Sequence, residues 1–199
     1  MSNDTQKKIY SNLHNRFFDK IINKKRFEII EIINNFIKNK DLLDVLDVGT
    51  TNDDANESSN IIIKNLIGIK IFKSISDQLI DLKLFSKTLK KSITDDFTEE
   101  EIKDFQSDLV ISNATIEHVG NLENQLKMCE NIINLSRKYF IIMTPNRFHP
   151  LEFHTKIPII HWLPKGIHRK ILRLVGLKFL AEEKNLNLLS QHDLELIMR

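Results

Sequence analysis

The sequence has little cysteine, little glycine and little net charge, and each shortage bears on the class of protein. A single cysteine, Cys129, excludes an internal disulfide framework, and its place on an apolar helical stripe favours a packed thiol over a nucleophile. A formal net charge of +2 implies no general attraction to nucleic acid or to membranes. No apolar run approaches the roughly 20 residues that span a bilayer, and residues 1–10 lack the apolar core of a signal peptide. We therefore expect a cytoplasmic protein without membrane insertion and without a nucleic-acid partner.

The residues that are present suit a single α/β domain. Apolar residues make up 41% of the 199 residues, enough for one core. Strand-like and helical segments alternate, which predicts a parallel sheet with helices on both faces. The five predicted strands are 44–49, 66–72, 88–93, 108–113 and 139–144. Within one domain, the chain divides into an N-terminal helical segment (1–40), a core (41–146) and a proline- and histidine-rich insert with C-terminal helices (147–199).

Polar clusters follow two of the predicted strands. The first cluster, 112–118, has the sequence SNATIEH, and the second, 144–147, has the sequence TPNR. In an open α/β sheet, ligands bind outside the carboxyl ends of the strands. Ordinary strand-to-helix loops are also polar, but these two are unusually rich in Asn, His, Arg and Glu together. We therefore predict a ligand site at this edge of the sheet.

The first predicted strand resembles the start of a nucleotide-binding unit. It ends at Gly49, and a polar loop and a helix over about 57–66 follow, as in the first half of such a βα unit. Glycines in this loop let the backbone approach a ligand closely. Because only Gly49 is present, the motif alone indicates a nucleotide weakly.

Acidic residues follow the second and third predicted strands. An acid after the second strand commonly accepts hydrogen bonds from ribose hydroxyls, and Asp77 is the candidate. A turn-forming or capping role is the alternative for Asp77. Asp95 or Asp96, after the third strand, is a candidate to bind an amine donor at the sheet edge, or to cap a turn.

All four prolines lie between residues 145 and 164, where they forbid a continuous helix. We predict a long structured loop that forms a substrate pocket or a packed insert. The side chains there that can bind a substrate or transfer a proton include Arg147, His149, Glu152, His154 and His161. His154, His161 and His168 recur every seven residues. Because the prolines break the helix that would align these three histidines, we expect no metal site.

The motifs resemble those of the class I S-adenosylmethionine-dependent methyltransferases of the type 11 kind. The resemblance covers roughly residues 43–146 and lies in DVLDVG, LIGIKIF, DLVISNATIEHVG and FIIMTPN, taken in that order. TPNRFHPLEFHTKIPIIHWLP is similar to a narrower bacterial subgroup of methyltransferase-like proteins. The resemblance implies a Rossmann-like sheet that binds S-adenosylmethionine.

The resemblance also implies positions for the cofactor contacts. It places Asp47 and Gly49 of the first motif near the methionine moiety, Asp77 near the ribose, and Asp95 or Asp96 near the adenine. The motif after the fourth strand flanks the cofactor and faces the substrate. Its residues are Asn113, Ala114, Glu117 and His118.

Two departures from the family pattern bear on function. Thr51 and Asp53 stand where further glycines are usual. Either these side chains weaken cofactor binding, or the loop is an adaptation, because the narrower subgroup carries a similar loop. The family sheet normally has seven strands, whereas we find five, so we predict a sheet that lacks the last strands. An exposed edge strand then requires cover by another chain or by the N-terminal helices, and an oligomer formed through this edge fits that requirement.

Methyl transfer needs alignment and, for some acceptors, a base. His118 is the first choice for a base because the unperturbed pKa of histidine lies near neutrality; a role in shaping the cofactor pocket is the alternative. His149 and His154 are further candidate bases, while Arg147 suits an anionic group on the acceptor. Glu152 and His161 are candidate substrate contacts.

Two hypotheses for function follow from these residues. The first is an S-adenosylmethionine-dependent methyltransferase that acts on a small-molecule or sugar-containing acceptor. The second is a non-catalytic or truncated methyltransferase-like protein that serves as a binding or scaffold module. Cofactor binding distinguishes the two.

Overall fold

The structure, a computed structural model, describes residues 16–53, 59–155 and 157–199. Residues 1–15 of the predicted N-terminal helical segment therefore lie outside the described residues, as does the start of the helix predicted over 57–66. No helix in the described ranges is long and apolar enough to cross a membrane.

The sheet has five parallel strands in the order β3-β2-β1-β4-β5. The strands are β1 (Asp44–Val48), β2 (Ile71–Ser76), β3 (Lys87–Lys90), β4 (Ser107–Asn113) and β5 (Ser136–Met143). The chain adds β2 and β3 on one side of β1 and then returns to add β4 and β5 on the other. The predicted α/β, Rossmann-like fold is thus confirmed, and the point where the strand order reverses lies between β1 and β4, where such sheets bind ligands.

Helices cover both faces of the sheet, as predicted. They are α1 (Arg16–Lys38), α2 (Ile61–Lys64), α3 (Glu99–Phe105), α4 (Leu122–Leu135), α5 (Lys165–Leu174) and α6 (Gln191–Ile197). On one face, Ile33 of α1 packs in a cluster with Val45 of β1. On the other, Cys129 of α4 packs in a cluster with Leu46 of β1. Burial raises the pKa of the Cys129 thiol to about 11, so the prediction of a packed thiol is confirmed.

The second strand begins five residues later than the sequence predicts. The apolar run at 66–69 contains Gly68 at a φ of +87°, and the Asn34 side chain of α1 accepts a hydrogen bond from the backbone N–H of Ile67. A contact with α1, not pairing in the sheet, therefore holds this run. The predicted start of the strand was wrong because a short apolar segment does not reveal whether it pairs with a strand or packs against a helix. The shift moves the carboxyl end of β2 to Ser76, directly before Asp77.

Two buried carboxylates share cations at the amino-terminal edge of the sheet. Asp44 contacts Arg137 and lies 3.0 Å from the Lys73 ammonium. Asp108 lies 3.1 Å from Arg137 Nε and 3.3 Å from Lys138 Nζ. Burial opposes the charge on Asp108, but hydrogen bonds from Leu43 N–H and Arg137 outweigh it and lower the pKa of this carboxyl. The Arg137 guanidinium therefore ties β1, β4 and β5 together.

Replacing Arg137 by Met is expected to lower the free energy of unfolding by about 2 kcal/mol. Removing one partner of a buried pair costs about 3–5 kcal/mol, but Arg137 is 39% exposed and the two lysines remain, which reduces the loss. Urea unfolding at neutral pH measures the change. Arg173→Met, at an exposed ion pair with Glu182, is the control and should change stability little. Equal effects of the two substitutions would contradict the buried role of Arg137.

The segment after β5 folds back over the carboxyl edge of the sheet. A parallel bridge joins Asn146 to Leu189, and Leu172 packs with Leu186 in a small separate core. The predicted structured loop contains one short 3-10 helix, Ile160–Trp162. Ser190 and Asp193 form a capping box at the start of α6.

Within the described residues the sheet has two outer strands, β3 and β5. Beside β5, Ile29 and Phe36 of α1 and Tyr139 and Ile141 of the strand line an apolar groove. Phe36 and Tyr139 meet edge to face with ring centroids 5.1 Å apart, so α1 packs against a face of the sheet at β5. The oligomer formed through an exposed edge stays a prediction.

Candidate functional site

The loops after β1 and β4 touch at Gly49. Gly49 has a φ of +90°, and a Cβ placed there would lie 2.1 Å from Thr115 Oγ1. The Thr115 hydroxyl in turn donates a hydrogen bond to the carbonyl of Val48 at 3.2 Å. Only glycine fits this position, because both the backbone conformation and the space exclude a side chain.

Asp47 lies beneath this loop and is only 6% exposed. Its Oδ2 accepts a hydrogen bond from the Thr50 hydroxyl at 2.6 Å, and the Ser74 hydroxyl donates to Thr50 at 2.7 Å. Burial raises the pKa of Asp47 to about 6, against the opposing effect of the Thr50 hydrogen bond. Asp47 therefore supports the loop from below.

Side-chain hydrogen bonds hold the glycine-poor part of this loop. Asn60 accepts from the backbone N–H of Thr51 at 3.1 Å and donates to the Thr51 carbonyl at 2.8 Å. Asp53 accepts from the Ser59 hydroxyl at 3.2 Å. The N–H of Thr51 is consequently engaged within the protein.

The acids after β2 and β3 differ in their surroundings. Asp77 is exposed and directly follows the last residue of β2. Asp95 accepts a hydrogen bond from the N–H of Ser92 at 3.3 Å, and Asp96 lies 3.0 Å from the Lys127 ammonium. Asp95 thus takes part in a turn, which matches the capping alternative, whereas Asp77 is accessible to a ligand.

Two further predicted cofactor contacts end β4. Asn113 is the exposed last residue of the strand, and Ala114 follows it. Ala114 has a φ of +54°, a left-handed conformation uncommon for alanine. Its N–H donates to the Met143 carbonyl at 2.8 Å, so the ends of β4 and β5 remain joined beyond the strand.

A buried cluster brings together residues predicted for different roles. His118 Nε2 lies 3.2 Å from His154 Nε2, and the two rings meet edge to face. Glu117 Oε1 lies 3.8 Å from the same His154 nitrogen. Glu152 Oε1 accepts from His154 Nδ1 at 2.6 Å. The insert therefore delivers His154 and Glu152 onto the 3-10 turn Ile116–His118 after β4.

The charges in this cluster are unequal. Burial opposes ionisation of Glu152, but hydrogen bonds from His154 and Thr155 outweigh it and lower the pKa of this carboxyl to about 2. Burial also opposes the charged form of His154, yet Glu152 and Glu117 raise the pKa of this imidazole. Burial is the main cause that lowers the pKa of His118. The protonated form is thus favoured at His154 and disfavoured at His118.

Both ring nitrogens of His118 have partners. Nδ1 lies 2.7 Å from the carbonyl of Asn185, to which it can only donate. Nε2 faces His154. His118 can accept a proton from another molecule only when the contact with His154 opens.

The remaining predicted residues of the insert bind its own backbone. Arg147 donates to the carbonyls of His161 and Leu163 at 3.1 and 2.7 Å. His161, 1% exposed, donates from Nε2 to the His149 carbonyl at 2.7 Å. The His149 ring stacks on Phe153 at 5.1 Å. These contacts shape the loop. Substrate contact by Arg147, Glu152 or His161 and the role of His149 as a base stay predictions.

Two contacts to the cluster were not among the predicted site residues. Thr144 donates to Glu117 Oε2 at 2.9 Å. Asn187, far along the chain, donates from its backbone N–H to the Glu117 carbonyl at 2.7 Å and from its side chain to the Gly120 carbonyl at 2.8 Å. The TPN motif pointed to the region of Thr144, but no local pattern places Asn187.

Comparisons with known proteins give only distant similarities. No protein-family model and no curated protein matches this chain. The solved N-methyltransferase NodS from Bradyrhizobium japonicum WM9 is similar at 9% identity over 72% of this chain and 80% of its own, with a TM-score of 0.47. Its complex with S-adenosyl-L-homocysteine is similar at 11% identity over 67% and 68%, with a TM-score of 0.43. At these values neither similarity bears on the function of this chain.

Proposed function

We propose that this chain is an S-adenosylmethionine-dependent methyltransferase with a small-molecule or sugar-containing acceptor. The observation that carries the proposal is the carboxyl edge of the sheet. There, the Gly49 turn, the exposed Asp77 and the exposed Asn113 end three adjacent strands, β1, β2 and β4. This edge includes the point where the strand order reverses, which is where open α/β sheets bind ligands.

The chemistry of these side chains fits the cofactor. The Asp77 carboxylate can accept hydrogen bonds from two ribose hydroxyls. The Asn113 amide can both donate and accept at the exposed end of β4. When bound, the cofactor supplies the electrophilic methyl carbon, and the residues of the protein hold and orient it beside the acceptor.

The role of the histidine pair follows from its contacts. In this proposal His118 takes the acceptor proton once His154 moves away, because both His118 nitrogens are otherwise engaged. In the closed cluster, Glu152 Oε1 accepts a hydrogen bond from the other nitrogen of His154. Arg147, Glu152 and His161 are the proposed acceptor contacts of the insert, with His149 as a further candidate base.

One observation favours the second hypothesis, a non-catalytic binding or scaffold module. Asn60 already occupies the N–H and the carbonyl of Thr51, in the loop that would face the cofactor. A loop with its backbone groups satisfied internally offers fewer donors to a ligand. Cofactor affinity therefore separates the two functions.

Calorimetric titration with S-adenosylmethionine, and separately with S-adenosylhomocysteine, tests the proposal. We expect binding at micromolar concentrations by the wild type and binding about 10- to 100-fold weaker by Asp77→Asn. This loss of binding free energy corresponds to about 1.5–3 kcal/mol, the contribution of a hydrogen bond to a charged group. Asp77 is exposed, so this substitution tests ligand contact without disturbing the core, unlike a substitution at the buried Asp47.

Asp104→Asn is the matched control. Asp104 is also an exposed acid, paired with Lys87, but it lies on α3 before β4, at the opposite edge of the sheet. This variant should bind both ligands as the wild type does. A folded wild-type protein that binds neither ligand would overturn the methyltransferase proposal and support the binding or scaffold module.

A further inference from the structure

The cluster at His118 and His154 has a feature that the proposed function does not use. Both Nδ1 atoms have partners to which they donate, the Asn185 carbonyl for His118 and Glu152 Oε1 for His154. When both rings are neutral, their lone pairs therefore lie on the Nε2 atoms, which face each other at 3.2 Å. Either a proton on His154 or a cation shared by both nitrogens satisfies this contact.

A third potential ligand points into the same space. Glu117 is fully buried, and its Oε1 has no hydrogen-bond partner in the described part of the chain. Its other oxygen is held by the Thr144 hydroxyl at 2.9 Å. A buried carboxylate oxygen without a partner is costly, and a cation would satisfy it.

The distances suit direct coordination of one ion. Ligand atoms bound at 2.0–2.2 Å in a tetrahedral site are separated by about 3.4 Å. The two His nitrogens are 3.2 Å apart, and Glu117 Oε1 is 3.8 Å from His154 Nε2. All three candidate ligand atoms lie within 4.8 Å of one another.

We infer that Glu117, His118 and His154 bind one divalent transition-metal ion, for which Zn²⁺ is the simplest choice. Two imidazoles and one carboxylate select such ions over Mg²⁺ and Ca²⁺. Glu152 and the Asn185 carbonyl orient the two rings, as outer partners of metal-bound histidines do. Three protein ligands leave a coordination position open to water or to an oxygen or nitrogen of a bound molecule.

The inference does not rest on the proposed function, and its ligands differ from the evenly spaced histidines for which we expected no metal site. Of the heptad histidines His154, His161 and His168, only His154 belongs to the cluster. The other two ligands come from the IEH turn after β4. A His118 nitrogen bound to a cation cannot accept a proton, so the metal role and the base role of His118 exclude each other in the same complex.

Metal titration of chelator-treated full-length protein tests the inference. We expect one equivalent of Zn²⁺ by elemental analysis after dialysis, a higher melting temperature with Zn²⁺, and visible absorption bands from bound Co²⁺ that Zn²⁺ removes. Mg²⁺ at the same concentration should produce no shift in melting temperature.

Substitutions locate the ion. Glu117→Gln and His154→Gln should weaken Zn²⁺ binding by more than about 100-fold, since outer partners alone are worth about 10- to 100-fold. Glu152→Gln should fall within that outer-partner range. His192→Ala, which removes an exposed histidine of α6, is the control for adventitious binding and should bind as the wild type does.

Two outcomes would overturn the inference: less than one tightly held equivalent in the wild type, or unchanged binding in both ligand variants shown to be folded by circular dichroism. If Glu117→Gln does not fold, His118→Asn takes its place in the same titration. Calorimetry with S-adenosylmethionine on the same samples keeps the two proposals apart. Cofactor binding without metal binding overturns only this inference, and metal binding without cofactor binding overturns only the methyltransferase proposal.

Discussion

Replacing Asp47 by Asn is expected to raise the free energy of unfolding by about 3 kcal/mol at pH 8 and to change it little at pH 4. Burial raises the pKa of Asp47 from 3.8 to about 6, and each pKa unit corresponds to about 1.4 kcal/mol. Because the folded state holds this proton more tightly than the unfolded state, the wild type loses stability as the pH rises from about 4 to about 6. Above pH 6 the loss is complete, and asparagine, which carries no charge, avoids it.

Urea unfolding of both proteins between pH 4 and pH 8 measures this difference. Asp77→Asn is the control, since Asp77 is an exposed acid near the same sheet edge; its stability should run parallel to that of the wild type. A constant offset between Asp47→Asn and the wild type across the whole range would contradict the raised pKa of Asp47.

The expected increase in stability of Asp47→Asn bears on function. Asp47 is buried, forms no ion pair with a described cation and destabilises the fold at neutral pH. Carboxylates of this kind are typical of functional sites. Asp47 reaches the Gly49 loop only through the Thr50 hydroxyl. We therefore interpret it as a residue that sets the position and charge of the loop from below.

Replacing Gly49 by Ala is expected to lower the free energy of unfolding by about 3–4 kcal/mol. A left-handed backbone at a residue with a Cβ costs about 1–2 kcal/mol, and overpacking adds about 1–3 kcal/mol. The overpacking arises because the new Cβ would lie 2.1 Å from Thr115 Oγ1 and 2.8 Å from its Cγ2. Adding Thr115→Ala should recover the overpacking part, because both atoms are then absent.

A double-mutant cycle in urea measures the coupling between the two positions. Gly68→Ala is the matched control: Gly68 has nearly the same φ, +87°, but nothing lies within 4 Å of a Cβ there. Gly68→Ala should therefore show only the backbone part, about 1–2 kcal/mol. Equal losses at Gly49 and Gly68, or no recovery with Thr115→Ala, would contradict the close approach of the two loops.

Local sequence patterns were sufficient to predict the strands and helices whose burial is regular along the chain. β1 and β4 are apolar runs buried on both faces, and α4 carries an apolar stripe, so alternation alone predicted the parallel sheet with helices on both sides. The strand predicted at 66–72 was wrong over its first part, because Gly68 and the contact with Asn34 hold the apolar run 66–69 outside the sheet. The error left the position of Asp77 after β2 uncertain by several residues.

The placement of polar residues at the carboxyl edge was predictable in part because parallel strands end at one edge. Gly49 and Asp77 follow β1 and β2, and Asn113 ends β4. The order of strands along the chain is sufficient to bring them to this edge. The roles of Asp95 and of Arg147 depended on neighbours that the sequence does not reveal, namely the turn at Ser92 and the carbonyls of His161 and Leu163.

Periodic burial and chain order are sufficient to specify the sheet, its flanking helices and the edge that carries the polar residues. Contacts between distant segments place His154 and Glu152 beside Glu117 and His118, and place the Asn185 carbonyl where it orients the His118 ring. These contacts could not be predicted, because the insert has no periodic pattern from which its path could be inferred. Its position depends on hydrogen bonds between residues far apart in the chain, which no local pattern encodes.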